Sequence, residues 1–141
     1  MAVVVEVVET GLVPPSEETP KGRLWLSNLD IPLASRHHTP LIYVYRPNGD
    51  PDSFNVETLR AALSRALVPF YPIAGRLVKG QDGRFEINCT GEGVMFVVAR
   101  CESSAGEFGE FVPSAEMREL FVPAVPVKLP TILFMVQVSA H

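Results

Sequence analysis

The sequence predicts an α/β fold in which helices flank a mixed β-sheet. Short runs of Val, Ile and aromatic residues recur along the chain and are typical of strands, whereas residues 56–68 place apolar side chains at helical spacing. A glycine-containing turn joins two of the strand-like runs and indicates a hairpin. The 141 residues are 47% hydrophobic and 20% charged, so the chain has enough apolar side chain to form a core.

The amino-terminal third is predicted to consist of strands separated by irregular connections. Ala2–Val8 is dominated by Val, whose branched Cβ suits a pleated surface, and a buried strand is expected there. Prolines between residues 14 and 20 disfavour regular structure after it. A short strand over Leu24–Leu26 and a further strand over Leu41–Arg46 follow, and the cluster Pro47–Pro51 is predicted to turn the chain.

The clearest helix is predicted over Val56–Val68. Its apolar residues recur every three or four positions and therefore lie on one face, which is expected to pack against the rest of the fold. Asn55 is expected to cap the first free backbone N–H groups, with Phe54 and Leu59 forming a hydrophobic staple. Pro69 is predicted to end the helix, because the residue before a proline is disfavoured in helical geometry.

The second half of the chain returns mainly to strands, predicted over Arg76–Lys79, Arg84–Cys89, Val94–Ala99 and Thr131–Val138. The first two are expected to pair as a hairpin across Gly80–Gly83. The last is apolar almost throughout, which is typical of a strand covered on both faces. A short helix is predicted over Ser114–Leu120, with Ser114 as its cap.

Charge and cysteine content exclude several classes of function. Twelve Lys and Arg against sixteen Asp and Glu leave a net charge of −4, and no basic run exists, so nucleic acid is not an expected partner. The apolar start, Met1–Val8, lacks a positive n-region and is too short to span a membrane, and a cytoplasmic location is expected. Cys89 and Cys101 have no His or Cys at metal-ligand spacing, which predicts two buried reduced thiols and no metal site.

Several stretches, in their order and spacing, carry a family resemblance over nearly the whole chain. They are Leu26–Asp30, His38–Pro40, Tyr43–Tyr45, Leu59–Leu77, Gly83–Cys89, Gly91–Val94, Phe108–Pro113 and Phe134–Val138. Together they resemble the amino-terminal part of the plant BAHD acyltransferases, particularly the hydroxycinnamoyl-CoA shikimate/quinate transferase branch. The resemblance implies a chloramphenicol-acetyltransferase-like fold, in which two lobes enclose a tunnel and acyl-CoA is the co-substrate.

The resemblance also implies a general base that this sequence lacks. In the family, a His-x-x-x-Asp motif follows the strand similar to Thr131–Val138, and its histidine takes the proton of the acceptor nucleophile. Here His37 and His38 have no Asp four residues later, and His141 is the last residue. We therefore expect residues 1–141 to be the amino-terminal portion of an incomplete first lobe, with the carboxy-terminal lobe absent. Such a chain is expected to have no catalytic residue, to bind no cofactor and to be inactive alone.

The segment that begins at His38 is the candidate substrate-binding region. The resemblance implies that it lines the acceptor side of the tunnel, where His38 and Tyr43 would hydrogen-bond a hydroxylated acceptor. Leu41 stands where shikimate-using relatives place a serine, and a leucine offers no hydrogen bond, which argues against shikimate. Two alternatives stay open: Tyr43 as an ordinary strand aromatic, and His38 as a loop residue bonded to backbone.

The sequence therefore leaves three hypotheses about function. The first hypothesis is a truncated portion of an acyltransferase that transfers hydroxycinnamoyl groups to a hydroxyl or amine acceptor. The second is a non-catalytic module that binds a phenolic acceptor weakly or associates with another protein through exposed strand edges. A third possibility is an unstable product of a shortened reading frame.

The stretch Phe70–Arg76 is interpreted as structural, with Arg76 pairing with a carboxylate, and Gly91–Gly93 is not a phosphate loop.

Overall fold

The computed structural model describes residues 3–46, 48–103, 111–124 and 128–140. The strands of the described part are β1 (Val5–Val13), β2 (Gly22–Trp25), β3 (Arg76–Lys79), β4 (Phe85–Cys89), β5 (Val94–Cys101), β6 (Thr131–Ile132) and β7 (Met135–Ala140). The helices are α1 (Ile31–Ala34), α2 (Val56–Ala66) and α3 (Ala115–Phe121), and a 3₁₀ turn covers Tyr71–Ala74.

The strands divide between two sheets. The first has the order β1-β5-β7, in which β1 and β5 are antiparallel and β5 and β7 are parallel. A parallel pair needs a crossover connection, and α3 lies within it. The second sheet is antiparallel, with the order β2-β4-β3-β6. The mixed α/β class is thus confirmed, although the sequence did not indicate that there are two sheets.

Helix α2 covers one face of the first sheet and forms the core. Val13, Leu67, Ala74, Val94 and Phe96 are buried together, and residues of α2, β5 and β7 pack around them. Phe96 is almost completely buried and lies under the guanidinium of Arg60, which is 4.8 Å from the centre of its ring. Arg60 also bonds Glu9 of β1 at 3.0 Å, so α2 is fixed to the sheet by apolar and polar contacts.

The opposite face of the first sheet lies beneath α3. The two helices therefore flank this sheet, as predicted. A cleft of about 310 Å³ separates the sheet from the end of α3 and the residues after it, and its walls include Val5, Val7, Met95, Val97, Leu120 and Gln137. The amide nitrogen of Gln137 donates to the carbonyl of Leu120 at 2.9 Å, which ties β7 to α3.

A β-bulge in β1 explains why the first strand differs from its prediction. The described strand is Val5–Val13, whereas the prediction was Ala2–Val8, of which Ala2 lies outside the described residues. The strand extends beyond Val8 because pairing with β5 continues through Glu9, Thr10 and Gly11. The register shifts between Val7 and Glu9, which leaves Val8 without a cross-strand partner. The shift turns Glu9 toward α2, and the Val-rich run thus ends before the strand does.

Two further strand predictions are wrong. Leu41–Arg46 is not a strand in the structure, since none of the described strands lies beside it. Thr131–Val138 is not one strand: the chain leaves the second sheet after β6, breaks at residues 133–134 and enters the first sheet as β7. Both errors involve pairing with distant residues, which an apolar pattern does not specify. The short strand predicted at Leu24–Leu26 is displaced by two residues at its start.

The two predicted helices, α2 and α3, and the hairpin are confirmed with small shifts at their ends, whereas α1 was not predicted. The side chain of Asn55 accepts from Thr58 N at 3.0 Å, as expected of a cap, and α2 ends at Ala66. Ser114 caps α3 by accepting from Met117 N at 3.1 Å. Strands β3 and β4 pair as the predicted hairpin, with Lys79 opposite Phe85.

The stretch Phe70–Arg76, which contains the 3₁₀ turn, has the structural role predicted for it. A Cβ at Gly75 would overlap the carbonyl of Asn88, so close approach of backbone requires the glycine. Arg76 is buried, and its Nη1 donates to the carbonyls of Gly75 and Gly93, both at 2.7 Å. Its Nε lies 3.8 Å from Glu92 Oε2, which is the predicted carboxylate pairing.

Candidate functional site

His38 is held against the second sheet. Its Nε2 lies 2.6 Å from the backbone carbonyl oxygen of Ile132 in β6, and the side chain is half-buried. A carbonyl oxygen only accepts hydrogen bonds, so Nε2 carries the proton and donates. In the neutral ring Nδ1 is then an acceptor, and none of the described residues bonds it. His38 thus bonds backbone, as one of the two alternatives has it, and its other ring nitrogen has no bond to a described residue.

Leu41 and Tyr43 lie on the exposed part of the same segment. Each is 73% exposed, and the Tyr43 hydroxyl bonds none of the described residues. Because residues 41–46 are not paired in a sheet, Tyr43 is not the ordinary strand aromatic of the alternative interpretation. The three predicted residues follow one another along one segment, but the described part of the chain does not enclose them in a pocket. The cleft under α3 is lined by other residues.

A connection between the two edges of the second sheet positions this segment. Residues 26–37 leave β2 at one edge and deliver His38 to β6 at the other. Arg84 fixes the start of the connection, since its Nη2 donates to the Leu26 carbonyl at 2.7 Å and to Asn28 Oδ1 at 2.8 Å. Its guanidinium also lies 4.7 Å from the Trp25 ring centre. Sequence reasoning missed Arg84, because its partners are more than fifty residues away.

A compact turn within the connection is organised by two side chains. Ser27 Oγ donates to Asp30 Oδ2 at 2.6 Å, and the Ser27 backbone N–H donates to the same oxygen at 3.0 Å. These bonds stabilise the ionised carboxylate and hold the pKa of Asp30 below its ordinary value of 3.8, the hydroxyl contributing most. The turn leads directly into α1, whose last residue is Ala34. The spacing of Ser27 and Asp30 was the available signal in the sequence.

Aromatic packing holds the far end of the segment. The rings of Tyr45 and Phe54 are 5.4 Å apart between centroids and tilted by 52°. Phe54 precedes the cap of α2, so the contact ties the segment to the start of that helix. The sequence pattern indicated only a staple between Phe54 and Leu59, and the contact with Tyr45 has no local signal.

Other kinds of site are not indicated in the part of the chain that the structure describes. Within residues 3–46, 48–103, 111–124 and 128–140, no three His, Cys, Asp or Glu side chains are grouped to hold a metal ion. The same residues include no helix long and apolar enough to cross a membrane. Cys89 and Cys101 are buried thiols that form no disulfide, as predicted, and desolvation raises the pKa of the Cys89 thiol.

Comparisons with known proteins agree with this architecture. The model of the Transferase family matches residues 3–140. Putrescine hydroxycinnamoyltransferase 1 of Oryza sativa subsp. japonica is 50% identical over 138 residues, which are 96% of this chain and 31% of that protein. Shikimate O-hydroxycinnamoyltransferase of Nicotiana tabacum is 50% identical over 121 residues, covering 86% of this chain and 27% of that protein. The chain thus spans about 30% of the length of these two curated relatives.

A solved structure supports the fold. The crystal structure of vinorine synthase superposes with a TM-score of 0.58 and 23% identity, covering 96% of this chain and 34% of that chain. At this identity the likeness concerns the fold alone, which is chloramphenicol-acetyltransferase-like. Family model, relatives and fold agree with the motifs between Leu26 and Val138, and the chain belongs to the Transferase family of BAHD acyltransferases, whose amino-terminal part it matches.

Proposed function

We propose that this chain forms the acceptor-side part of an acyl-CoA-dependent hydroxycinnamoyltransferase. The proposal is supported by the 50% sequence identity between most of this chain and proteins named for hydroxycinnamoyl transfer. Their names include an amine acceptor, putrescine, and a hydroxyl acceptor, shikimate. The reaction would join the acyl carbon of the thioester to the acceptor's oxygen or nitrogen and release coenzyme A.

His38 would orient the acceptor. Its Nε2 is engaged by the Ile132 carbonyl, which holds the ring against β6 and leaves Nδ1 to accept a hydrogen from a hydroxyl or ammonium group. Tyr43 would supply a second polar contact through its exposed hydroxyl. Neither residue is proposed as the base. The sequence contains no His-x-x-x-Asp motif, so residues 1–141 alone are expected to lack the proton transfer that contributes roughly 10²–10⁴-fold to such reactions.

Leu41 would set the class of acceptor. An aliphatic side chain beside the two polar groups cannot pair with a ring hydroxyl, and a site that buries an unpaired hydroxyl loses affinity. An acceptor with a methylene chain places no unpaired polar group against Leu41. We therefore propose that the acceptor is an alkyl amine in preference to shikimate. No described residue is assigned to acyl-CoA.

The second hypothesis, a non-catalytic acceptor-binding module, shares these residues but needs no other part of an enzyme. One experiment addresses both. The 141-residue chain, labelled with ¹⁵N, is titrated with putrescine and with shikimate while the imidazole and backbone signals of His38 and Tyr43 are followed by NMR. We expect shifts with putrescine that vanish in His38→Ala and weaken in Tyr43→Phe. Tyr45→Phe is the matched control, because that ring packs on Phe54.

The same preparations are incubated with hydroxycinnamoyl-CoA and putrescine. We expect no amide product above the uncatalysed rate. Leu41→Ser is expected to strengthen the response to shikimate. Product formation that depends on His38 would contradict the assignment of that residue, and identical titrations for wild type, His38→Ala and Tyr43→Phe would remove the proposed acceptor site.

A further inference from the structure

The cleft between the first sheet and α3, here called the α3 cleft, is a cavity that the proposed function leaves unused. Its volume is about 310 Å³, at the lower end of the range for small-molecule sites. Eight of the eleven described residues that line it are apolar, and none of the eleven belongs to the segment from His38 to Tyr43. The α3 cleft is thus a separate place on the molecule, large enough for a small organic compound.

The sheet side of the cleft is an aliphatic surface that carries one hydroxyl group. Val5 and Val7 are two positions apart in β1, so their side chains point to the same face of the sheet. The register shift between Val7 and Glu9 brings Thr10 to that face as well. Thr10 lies opposite Val97 of β5, which also lines the cleft. A hydrocarbon group bound here would lose contact with water along these valines.

The polar groups of the cleft are mainly hydrogen-bond acceptors. Both N–H bonds of the Gln137 amide are used, because Nε2 donates to the Leu120 carbonyl at 2.9 Å and to Ser139 Oγ at 3.1 Å. The amide oxygen is the group that remains, and it only accepts. The carboxylate of Glu119 also only accepts, and neither it nor the Thr10 hydroxyl bonds another described residue. A ligand that fits this lining therefore donates hydrogen bonds.

The charge of the cleft favours a cation. Glu119 is the one ionisable side chain among the described residues that line the cleft, and it is exposed. It lies in the last turn of α3, where the backbone carbonyls carry partial negative charge. Arg118 lies in the same turn but does not line the cleft, since consecutive helix residues do not face each other. The carboxylate and the helix end therefore attract positive charge together.

We propose that the α3 cleft binds a monoamine, a primary ammonium group carried by a hydrocarbon chain or ring. An alkyl amine, like a lysine side chain, is protonated at neutral pH and offers three donors and no acceptor. The ammonium group binds Glu119 and the Gln137 amide oxygen, and the hydrocarbon lies along Val5, Val7 and Val97. A diamine would place its second charge against aliphatic residues without a partner, so monoamines are preferred. This site is apart from the acceptor segment and does not rest on the proposed function.

Other classes of ligand fit the α3 cleft less well. Anions such as hydroxycinnamate or coenzyme A have the same sign of charge as Glu119, and they bring further acceptors to a lining that already accepts. A neutral alcohol covers the same aliphatic surface but offers one donor and no charge. The difference between an amine and an alcohol of equal length therefore measures what the carboxylate contributes.

The test is an NMR titration of the ¹⁵N-labelled 141-residue chain with n-hexylamine at neutral pH. We expect saturable shifts in the amide signals of β1, β5 and α3 around the cleft. The matched ligand n-hexanol should bind at least about fivefold more weakly, and hexamethylenediamine should also bind more weakly than the monoamine. Glu119→Gln should weaken n-hexylamine at least about fivefold and remove its advantage over n-hexanol. Glu116→Gln is the control, because it removes the same charge from α3 outside the cleft.

A second variant keeps the proposal testable if Glu119→Gln fails to fold. Val7 is 57% exposed, and Val7→Lys places a cation in the cleft, which should repel n-hexylamine more than n-hexanol. Three results would overturn the proposal: no saturable shifts around the cleft, equal affinities for n-hexylamine and n-hexanol, or unchanged amine affinity in the cleft variants. Shifts confined to residues 38–43 would also overturn it, since they assign the amine to the acceptor segment. His38→Ala should leave the cleft titration unchanged, so this site and the acceptor site fail or hold independently.

Discussion

Arg76 is predicted to stabilise the fold through its hydrogen bonds to backbone carbonyls and not through its ion pair. One nitrogen, Nη1, donates to the carbonyls of Gly75 and Gly93 at 2.7 Å, and the residue is 8% exposed. Glu92, in contrast, is more than half exposed and 3.8 Å away. These carbonyls join the end of the 3₁₀ turn to the turn before β5, so Arg76 connects the two sheets.

The two contributions differ in size. Replacing Arg76 by Met keeps an unbranched side chain but leaves two carbonyl oxygens without their donor, at a cost of about 1–3 kcal/mol for each buried group. We therefore expect Arg76→Met to lower the free energy of unfolding by about 2–6 kcal/mol. Glu92→Gln removes only a solvent-screened ion pair and should lower it by less than about 1 kcal/mol.

Urea unfolding followed by circular dichroism measures both effects, provided that the dependence on urea concentration is unchanged between variants. The double variant should unfold close to Arg76→Met, because Glu92 has no remaining cation to pair with there. Equal losses in the two single variants would refute the reasoning, since they would assign the stabilisation to the ion pair. A loss below about 0.5 kcal/mol for Arg76→Met would show that the carbonyls regain solvent or another donor.

Three further predictions follow from local geometry. Gly93→Ala should lower the free energy of unfolding by more than Gly83→Ala does. Both glycines have positive φ, but only a Cβ at Gly93 would overlap the carbonyl at the end of β1. Urea unfolding of the two variants measures the difference. The Asp30 carboxyl should titrate below pH 3.8 when followed by NMR, and Ser27→Ala should raise its pKa. The ionised carboxylate therefore stabilises the turn above pH 3.8, and this stabilisation is lost as the pH falls through the lowered pKa of the folded state. The Cys89 thiol should resist alkylation in the folded chain and react after unfolding, since burial raises its pKa; equal rates in the two states would contradict its position.

Local sequence signals predicted the parts of the fold that depend on neighbouring residues. Asn55 and Ser114 identified the helix starts because a cap acts within three residues. The turn at Gly80–Gly83 likewise identified the β3–β4 hairpin. The bulge at Val8 was not predictable from the Val-rich run, since it depends on the register with β5, a strand more than eighty residues away.

The candidate site was likewise predictable only in part, since its partners in distant strands carry no local signal. Family motifs identified His38, Leu41 and Tyr43 as candidates, but the backbone partner of His38 depends on where β6 lies in the second sheet. The apolar composition of residues 131–138 fits either sheet, so it gave no sign that the chain changes sheets near Phe134. Arg84 carries no local signal either, because its role arises from the return of β4 alongside β2.

The bond between His38 and Ile132 also orders events in folding. Its partners are 94 residues apart, and between them lie α2 and the strands β3, β4 and β5. Contacts across so long a stretch are entropically costly to close until the intervening elements have formed. During synthesis, His38 leaves the ribosome long before Ile132 exists. The segment that carries the candidate acceptor residues is thus made well before β6, and it can take its final position only after β6 exists.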